Sequence, residues 1–356
     1  MRIDCHVHAV GSGKDITNIE SDIFYKPEDN PQWFVRMLQQ LVESRLVEAG
    51  ADTDGDRRVS TEEYFAFLAD LLRSSEEVDA VVLLGMDAVF DAGTGELDAR
   101  RTDLWVSNSF LSRQIRTMND ALRAAGSEKR FFFGASVSPN RVDWRDELDY
   151  VTADTDAVLL KIIPSAQHIE LADPRHRPFW QKLAEAGLPL LCHVGPEYSF
   201  AEGRRCWELD DFRGLREALD CGVTVIAAHC ATPVFALFDR DDYDDFVAFM
   251  TRINAGGTTR LYADTSALTL STRIPYLKKI REQIPAEWLL HGTDLPIPID
   301  GWAHLPLLTP DISPGEYLDF VRTDNPLDRD VRIKRAMGLK DSILTNAEQV
   351  LRLSTP

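Results

Sequence analysis

The chain has 356 residues, 44% of them hydrophobic, and its 39 basic and 58 acidic side chains leave a formal charge of −19. That length and apolar content allow one large α/β barrel or two domains. The charge repels phosphate backbones and argues against nucleic acid as a partner, and no run of apolar residues is long enough to span a membrane.

The first strand is Arg2-Ile3-Asp4-Cys5-His6-Val7-His8. Alternation puts His6 and His8 on one face. Imidazole is the commonest metal ligand, so the pair reads either as two ligands for one ion or as hydrogen-bonded core residues. Met1 leads straight into this strand, leaving no room for a signal peptide. The five cysteines, Cys5, Cys192, Cys206, Cys221 and Cys230, contain no CxxC pair and suit a reducing compartment, so a cytoplasmic protein is expected. Cys5, Cys192 and Cys230 each adjoin a histidine; alternation turns them away from it, as buried core thiols.

Residues 31–75 read as a helix–loop–helix insertion, with helical patterns over Trp33–Ala49 and Thr61–Leu72. The loop between them resembles a calcium-binding EF-hand loop. Asp52, Asp54 and Asp56 take its first, third and fifth positions, Arg58 offers a carbonyl at the seventh, Ser60 stands ninth and Glu63 last. Val59 supplies the apolar residue. The sixth position, normally glycine, is Arg57, and a left-handed non-glycine residue costs roughly 1 kcal/mol. Ca²⁺ is the expected ligand; the plainer reading is an acidic, solvated turn.

Further apolar runs follow at Val78–Met86, Arg130–Val137, Asp156–Ile163, Leu188–Val194, Val223–Cys230, Arg260–Asp264 and Trp288–Thr293. Nearly unbroken apolar runs suit parallel strands buried on both faces. Amphipathic segments lie between them at Leu104–Ala125, Pro178–Ala186, Asp210–Asp220 and Asp242–Thr251, several stopped by glycine, as at Gly126, Gly187 and Gly222. The acidic run Asp239–Asp245 reads as a solvated helix start. The alternation predicts a single-domain (β/α)₈ TIM barrel over 1–356. Active sites in such barrels lie at the C-terminal strand ends. There stand His6, His8, Lys161, His193, His229 and Asp294, and a shared metal would offset the cost of burying them. The loop after strand five carries Tyr198, Arg204 and Arg205; an arginine there either clamps a substrate carboxylate or balances Glu202 and Glu208. The long segment Leu295–Asp328, with Trp302 and His304, reads as a lid or pocket wall. His168 and His176 are weaker candidates for substrate contact.

These motifs resemble the amidohydrolase superfamily, in particular its amidohydrolase-related branch of metal-dependent TIM-barrel hydrolases, lactonases and non-oxidative decarboxylases. The resemblance runs from Ile3 to about Leu353. It rests on His6-x-His8, Leu159–Pro164 (LLKIIP), Leu191–Glu197 (LCHVGPE), Ala227–Cys230 (AAHC), Ala263–Leu268 (ADTSAL) and His291–Pro296 (HGTDLP), and on the closing Gly338–Lys340 and Asn346–Glu348. It implies that His6, His8, His193 and Asp294 hold a divalent metal, zinc before others. It makes His229 a catalytic histidine or a ligand of a second metal, and Lys161 a carboxylated bridge between two metals or a lysine that does not bridge; one metal is favoured over two. The implied activity is hydrolysis of an amide, ester or lactone bond of a small molecule by a metal-activated water, with Asp294 and His229 as the catalytic pair. A decarboxylating lyase is the alternative, a calcium-responsive non-enzymatic binding protein a third reading, and homodimers are common among such barrels.

Overall fold

Each of the eight apolar runs forms a strand. The computed structural model describes residues 1–9, 19, 22–26, 33–235, 238–258, 260–297, 299 and 312–353, the side chains of 33–35, 37, 38 and 204 excepted. Its strands are β1 (Ile3–His8), β2 (Ile23–Tyr25), β3 (Ala80–Leu84), β4 (Leu104–Val106), β5 (Arg130–Ala135), β6 (Ala157–Ile162), β7 (Leu190–Cys192), β8 (Val225–Ala227), β9 (Leu261–Asp264) and β10 (Leu289–Leu290). All but β2 and β4 make one parallel sheet whose order follows the chain from β1 to β10. Backbone bonds from Cys5 N to His291 O, Asp294 N to His6 O and His8 N to Leu295 O, of 2.8–2.9 Å, join the last stave to the first. The fold is a (β/α)₈ barrel with an insertion after its first strand. No helix among the described residues is long and apolar enough to cross a membrane.

Alternation sorts the apolar side chains into two layers. Val82, Leu84, Leu191, Ile226 and Leu290 pack together in one cluster. Their neighbours Val81, Leu83, Leu190, Val225 and Leu289 belong to the larger cluster shared with the helices. β1 departs from this pattern. Asp4 pairs with Val81 and Val7 with Leu83, so three residues of β1 span two of β3, a β-bulge of the kind that re-aims a side chain. The expectation that Cys5 simply faces away from His6 fails here, because the bulge interrupts the alternation between them; Cys5 joins the inner cluster, while Cys192 and Cys230 lie in the outer one.

The insertion is built from α1 (Trp33–Glu48) and α2 (Thr61–Ser74). Ser60 and Glu63 close a reciprocal capping box at the start of α2, which buries Tyr64, Phe65, Leu68 and Leu72. At its far end, Asp328 accepts the backbone N–H groups of Glu76 (2.8 Å) and Glu77 (3.0 Å) and the Ser75 hydroxyl. The insertion is thereby tied to the C-terminal helix Pro326–Ala336.

Three local expectations are corrected. The helix expected from Leu104 begins only at Asn108, where Ser107 accepts the Phe110 N–H; Leu104–Val106 instead pairs antiparallel with Ile23–Tyr25. Asp210–Asp220 is two 3₁₀ turns and a short helix, Arg216–Asp220. Asp210 is drawn out of helical register because its carboxylate accepts Ser165 N (2.9 Å) and its carbonyl accepts Gly195 N (3.1 Å). Asp239 is buried rather than solvated, taking the Tyr198 hydroxyl and the Phe235 N–H. Within the long segment after β10, Pro314–Val321 is a helix capped by Ser313 and Glu316.

Asp328→Ala strands three donors at the end of α2. The Ser75 hydroxyl is buried and losing its partner costs about 1–3 kcal/mol, while the two N–H groups are part-buried and can turn to water, so a net loss of about 2–4 kcal/mol is expected. Urea unfolding at an unchanged m-value should read it.

Candidate metal centre at the barrel mouth

Three donor atoms meet at the C-terminal end of β1. His6 Nε2 and His8 Nε2 are 3.2 Å apart, and each lies 3.2 Å from Asp294 Oδ1. Ligand bonds of about 2.1 Å would set neighbouring ligand atoms roughly 3.4 Å apart around a tetrahedral ion and roughly 3.0 Å apart around an octahedral one. The observed triangle falls between the two, so the residues fit a small divalent cation.

The backbone builds the triangle. Asp4 Oδ1 accepts the His6 N–H at the bulge (3.1 Å) and the Thr293 N–H (3.0 Å), and Oδ2 accepts the Thr293 hydroxyl (2.6 Å). One carboxylate therefore registers the first strand against the last. Burial pushes the Asp4 carboxyl up to about 7, against these bonds. Gly292 is required by close approach: a Cβ there would stand 2.8 Å from His6 Cβ. Asp264, at the end of β9, holds His6 from behind, with Oδ2 2.7 Å from His6 Nδ1. That contact puts the imidazole proton on Nδ1 and turns the Nε2 lone pair toward the triangle. Oδ1 of Asp264 accepts the His229 N–H (2.9 Å), the Ser266 N–H (3.1 Å) and the Ser266 hydroxyl. From the insertion, the Tyr64 hydroxyl donates to the His8 carbonyl at 3.0 Å.

Backbone strain gathers here. His229, Cys230 and Ala231 are consecutive left-handed residues (φ 57°, 50° and 53°), and Asp294 has φ 72°. Each costs roughly 1 kcal/mol or more.

His229 and His193 flank the triangle. The His229 ring lies 5.3 Å from that of His6, and its Nε2 is 3.2 Å from His193 Nδ1. His193 Nε2 faces the Gly195 carbonyl (3.2 Å) and its Nδ1 stands 3.6 Å from Glu197. His193 is thus one ring removed from the three converging donors. Lys161 Nζ is 3.3 Å from His6 Nε2. Burial, more than neighbouring cations, holds His6 and His229 well below the ordinary imidazole range and brings His193 down to about 3. It also pushes the Lys161 ammonium toward its neutral form. Burial alone would raise Asp294, but His6, the bond from His8 and Lys161 together leave its carboxyl below the ordinary value. A neutral imidazole at His6 and an ionised carboxylate at Asp294 are what a cation needs as ligands.

Arg205 pairs with Glu202, and Tyr198 with Asp239. The Arg204 side chain, Trp302 and His304 lie outside the described residues. His168 contacts Glu202 (3.0 Å). His176 is fixed between Asn140 and the Glu170 carbonyl. In the 52–63 loop, single donor atoms of Asp52, Asp54 and Glu63 all lie within 4.8 Å of one another. Asp56 accepts Arg58 N (2.9 Å), Arg58 reaches toward Glu43 (3.8 Å), and Ser60 bonds Glu63. Asp52 accepts the N–H groups of Gly55 and Arg57, and Arg57 is left-handed at φ 67°. Sequence reasoning gave no role to Asp264, although a lone acid closing an apolar strand is the signal that found Asp294; Asp4, Ser266 and Tyr64 gave no comparable signal.

The amidohydrolase family model matches residues 3–335. Among solved structures, the chain resembles a probable 2-pyrone-4,6-dicarboxylic acid hydrolase from Acinetobacter baumannii with citric acid bound (TM-score 0.54, 13% identity, 98% of this chain and 99% of that one). It also resembles a TIM-barrel protein from Bordetella bronchiseptica (TM-score 0.48, 13% identity, 97% and 99%) and a 5-carboxyvanillate decarboxylase from Sphingomonas paucimobilis (TM-score 0.45, 13% identity, 99% and 99%). At such identities the likeness is one of fold. No curated protein sequence matches the chain.

Asp264→Asn should lower affinity for added Zn²⁺ about 10–100-fold, the range found when the carboxylate behind a ligating histidine is lost. Competition against a chromophoric chelator measures it. An unchanged affinity with an unchanged circular dichroism spectrum would detach Asp264 from the site.

Proposed function

The chain belongs to the amidohydrolase family, and we propose that it is a metal-dependent hydrolase acting on an amide, ester or lactone bond of a small molecule. The observation that carries this reading is the buried triangle of His6, His8 and Asp294 donors at 3.2 Å spacing. His6, His8 and Asp294 would hold a divalent ion, zinc first among candidates, with Lys161 and His193 beside them. When bound there, such an ion would lower the pKa of a water from about 16 toward ~7 and would polarise a carbonyl. Asp294, ionised at neutral pH, accepts the proton of the attacking water and returns it to the leaving group. His229, fixed by Asp264 and Ser266 one ring away, orients the scissile carbonyl and steadies its developing negative charge.

The second reading concerns the 52–63 loop, which we infer binds Ca²⁺. It is favoured by the gathering of Asp52, Asp54 and Glu63 and by the left-handed Arg57, which takes the turn that glycine takes in EF-hand loops.

Chelation should abolish turnover on a panel of esters and lactones, and Zn²⁺ should restore it. Asp294→Asn should keep the fold and lower kcat by about 10²–10⁴-fold, the range for a lost general base. Turnover indifferent to the metal would overturn the hydrolase reading, and CO₂ as the product would move it to a lyase. For the loop, calorimetry with Ca²⁺ should show binding to wild type that Glu63→Gln loses; equal heats from both would dismiss it.

A further inference from the structure

Arg273 stands on the loop after β9, immediately before the helix Ile274–Gln283. It is 3% exposed. Its Nε–H donates to the Pro233 carbonyl at 3.3 Å and its Nη2 to the Thr232 carbonyl at 3.4 Å, both long for N–H···O bonds. These carbonyls lie just past the left-handed turn that carries His229. No carboxylate among the described residues lies within ion-pair distance of Arg273. The fields of Asp294, Glu197, Asp239 and Asp264 reach it without contact, and its own bears on His229 and His193.

Three costs coincide at this side chain. A guanidinium is taken out of water without a paired anion. Its two bonds leave part of the donor fork unused. It also sits at the N-terminus of a helix, where the macrodipole disfavours a cation. Among the described residues only two long carbonyl bonds and the fields of acids that do not touch it work against them. A ligand carboxylate offsets all three: it takes two parallel bonds from the fork, neutralises the charge, and is favoured at the helix end. Of the two arginines expected to do this from the sequence, Arg205 is half-exposed and committed to Glu202, and the Arg204 side chain lies outside the described residues.

We propose that Arg273 anchors a carboxylate of the substrate, which makes the substrate a small organic acid held with its anionic end beside the His229 turn and its reacting bond at the His6–His8–Asp294 triangle. The placement of the reacting bond rests on the hydrolase reading; the carboxylate site does not.

Calorimetry of wild type and Arg273→Gln tests this, each protein metal-stripped and zinc-restored. Glutarate and benzoate are the probes, with their neutral amides as controls. The carboxylates should bind wild type in both metal states and bind Arg273→Gln at least about tenfold more weakly, as expected for loss of a charge-assisted bidentate pair; the amides should not distinguish the two proteins. Should Arg273→Gln fail to fold, Arg273→Lys carries the same comparison, because it keeps the charge and loses the fork. Equal carboxylate affinity in wild type and variant, carboxylate binding that requires zinc and ignores position 273, or no saturable carboxylate binding by wild type would each overturn the proposal. Metal-indifferent turnover would sink the hydrolase reading alone.

Discussion

Two imidazole nitrogens and a carboxylate oxygen, aimed at one point from opposite ends of the chain, impose the constraint around which the barrel mouth is built. At 3.2 Å these atoms would repel one another as bare lone pairs, and a divalent cation held between them would offset that repulsion. Much of the nearby structure holds them there. The bulge in β1 aims His6, Asp4 clamps that bulge to the last strand, Gly292 clears room for the imidazole, and Asp264 fixes its proton. These contacts come from β1, β9 and the loop after β10, so the site forms only once the ring of strands has closed.

The same region concentrates conformational cost. A run of three left-handed non-glycine residues at His229–Ala231 and a fourth at Asp294 are sustained by the apolar layers beneath them. Strain of this kind persists where surrounding packing over-determines the backbone. Here the rigid staves supply that packing, and two of the residues bent against it, His229 and Asp294, carry side chains of the site.

The parts of this arrangement that could be read from the sequence are those with a local signature. Eight runs buried on both faces announce parallel strands, and histidines interrupting such runs at their ends announce a site, which is why His6, His8, His193, His229, Lys161 and Asp294 stood out. Glycines at Gly126, Gly187 and Gly222 do stop helices, each with positive φ. What escaped has no local signature. β2 and β4 are three-residue strands that find each other across some eighty positions. The bulge depends on register with a neighbouring strand. Arg273 lies in a loop without periodicity, and only the fold reveals that it is buried with no acid among the described residues against it. Arg204 and Arg205 drew attention because they were adjacent cations in a promising loop, yet Arg205 answers a glutamate three residues away.

The Tyr64 hydroxyl reaching the His8 carbonyl gives the helix–loop–helix a structural standing that its position outside the ring of strands conceals. Excising residues 31–75 to obtain a minimal barrel would leave that carbonyl without its donor and uncover the apolar surface that Tyr64, Phe65, Leu68 and Leu72 now cover. It would also take away the Ser75 hydroxyl that Asp328 binds. The insertion is a buttress for the first strand, and any trimmed or grafted version of this scaffold has to carry it along.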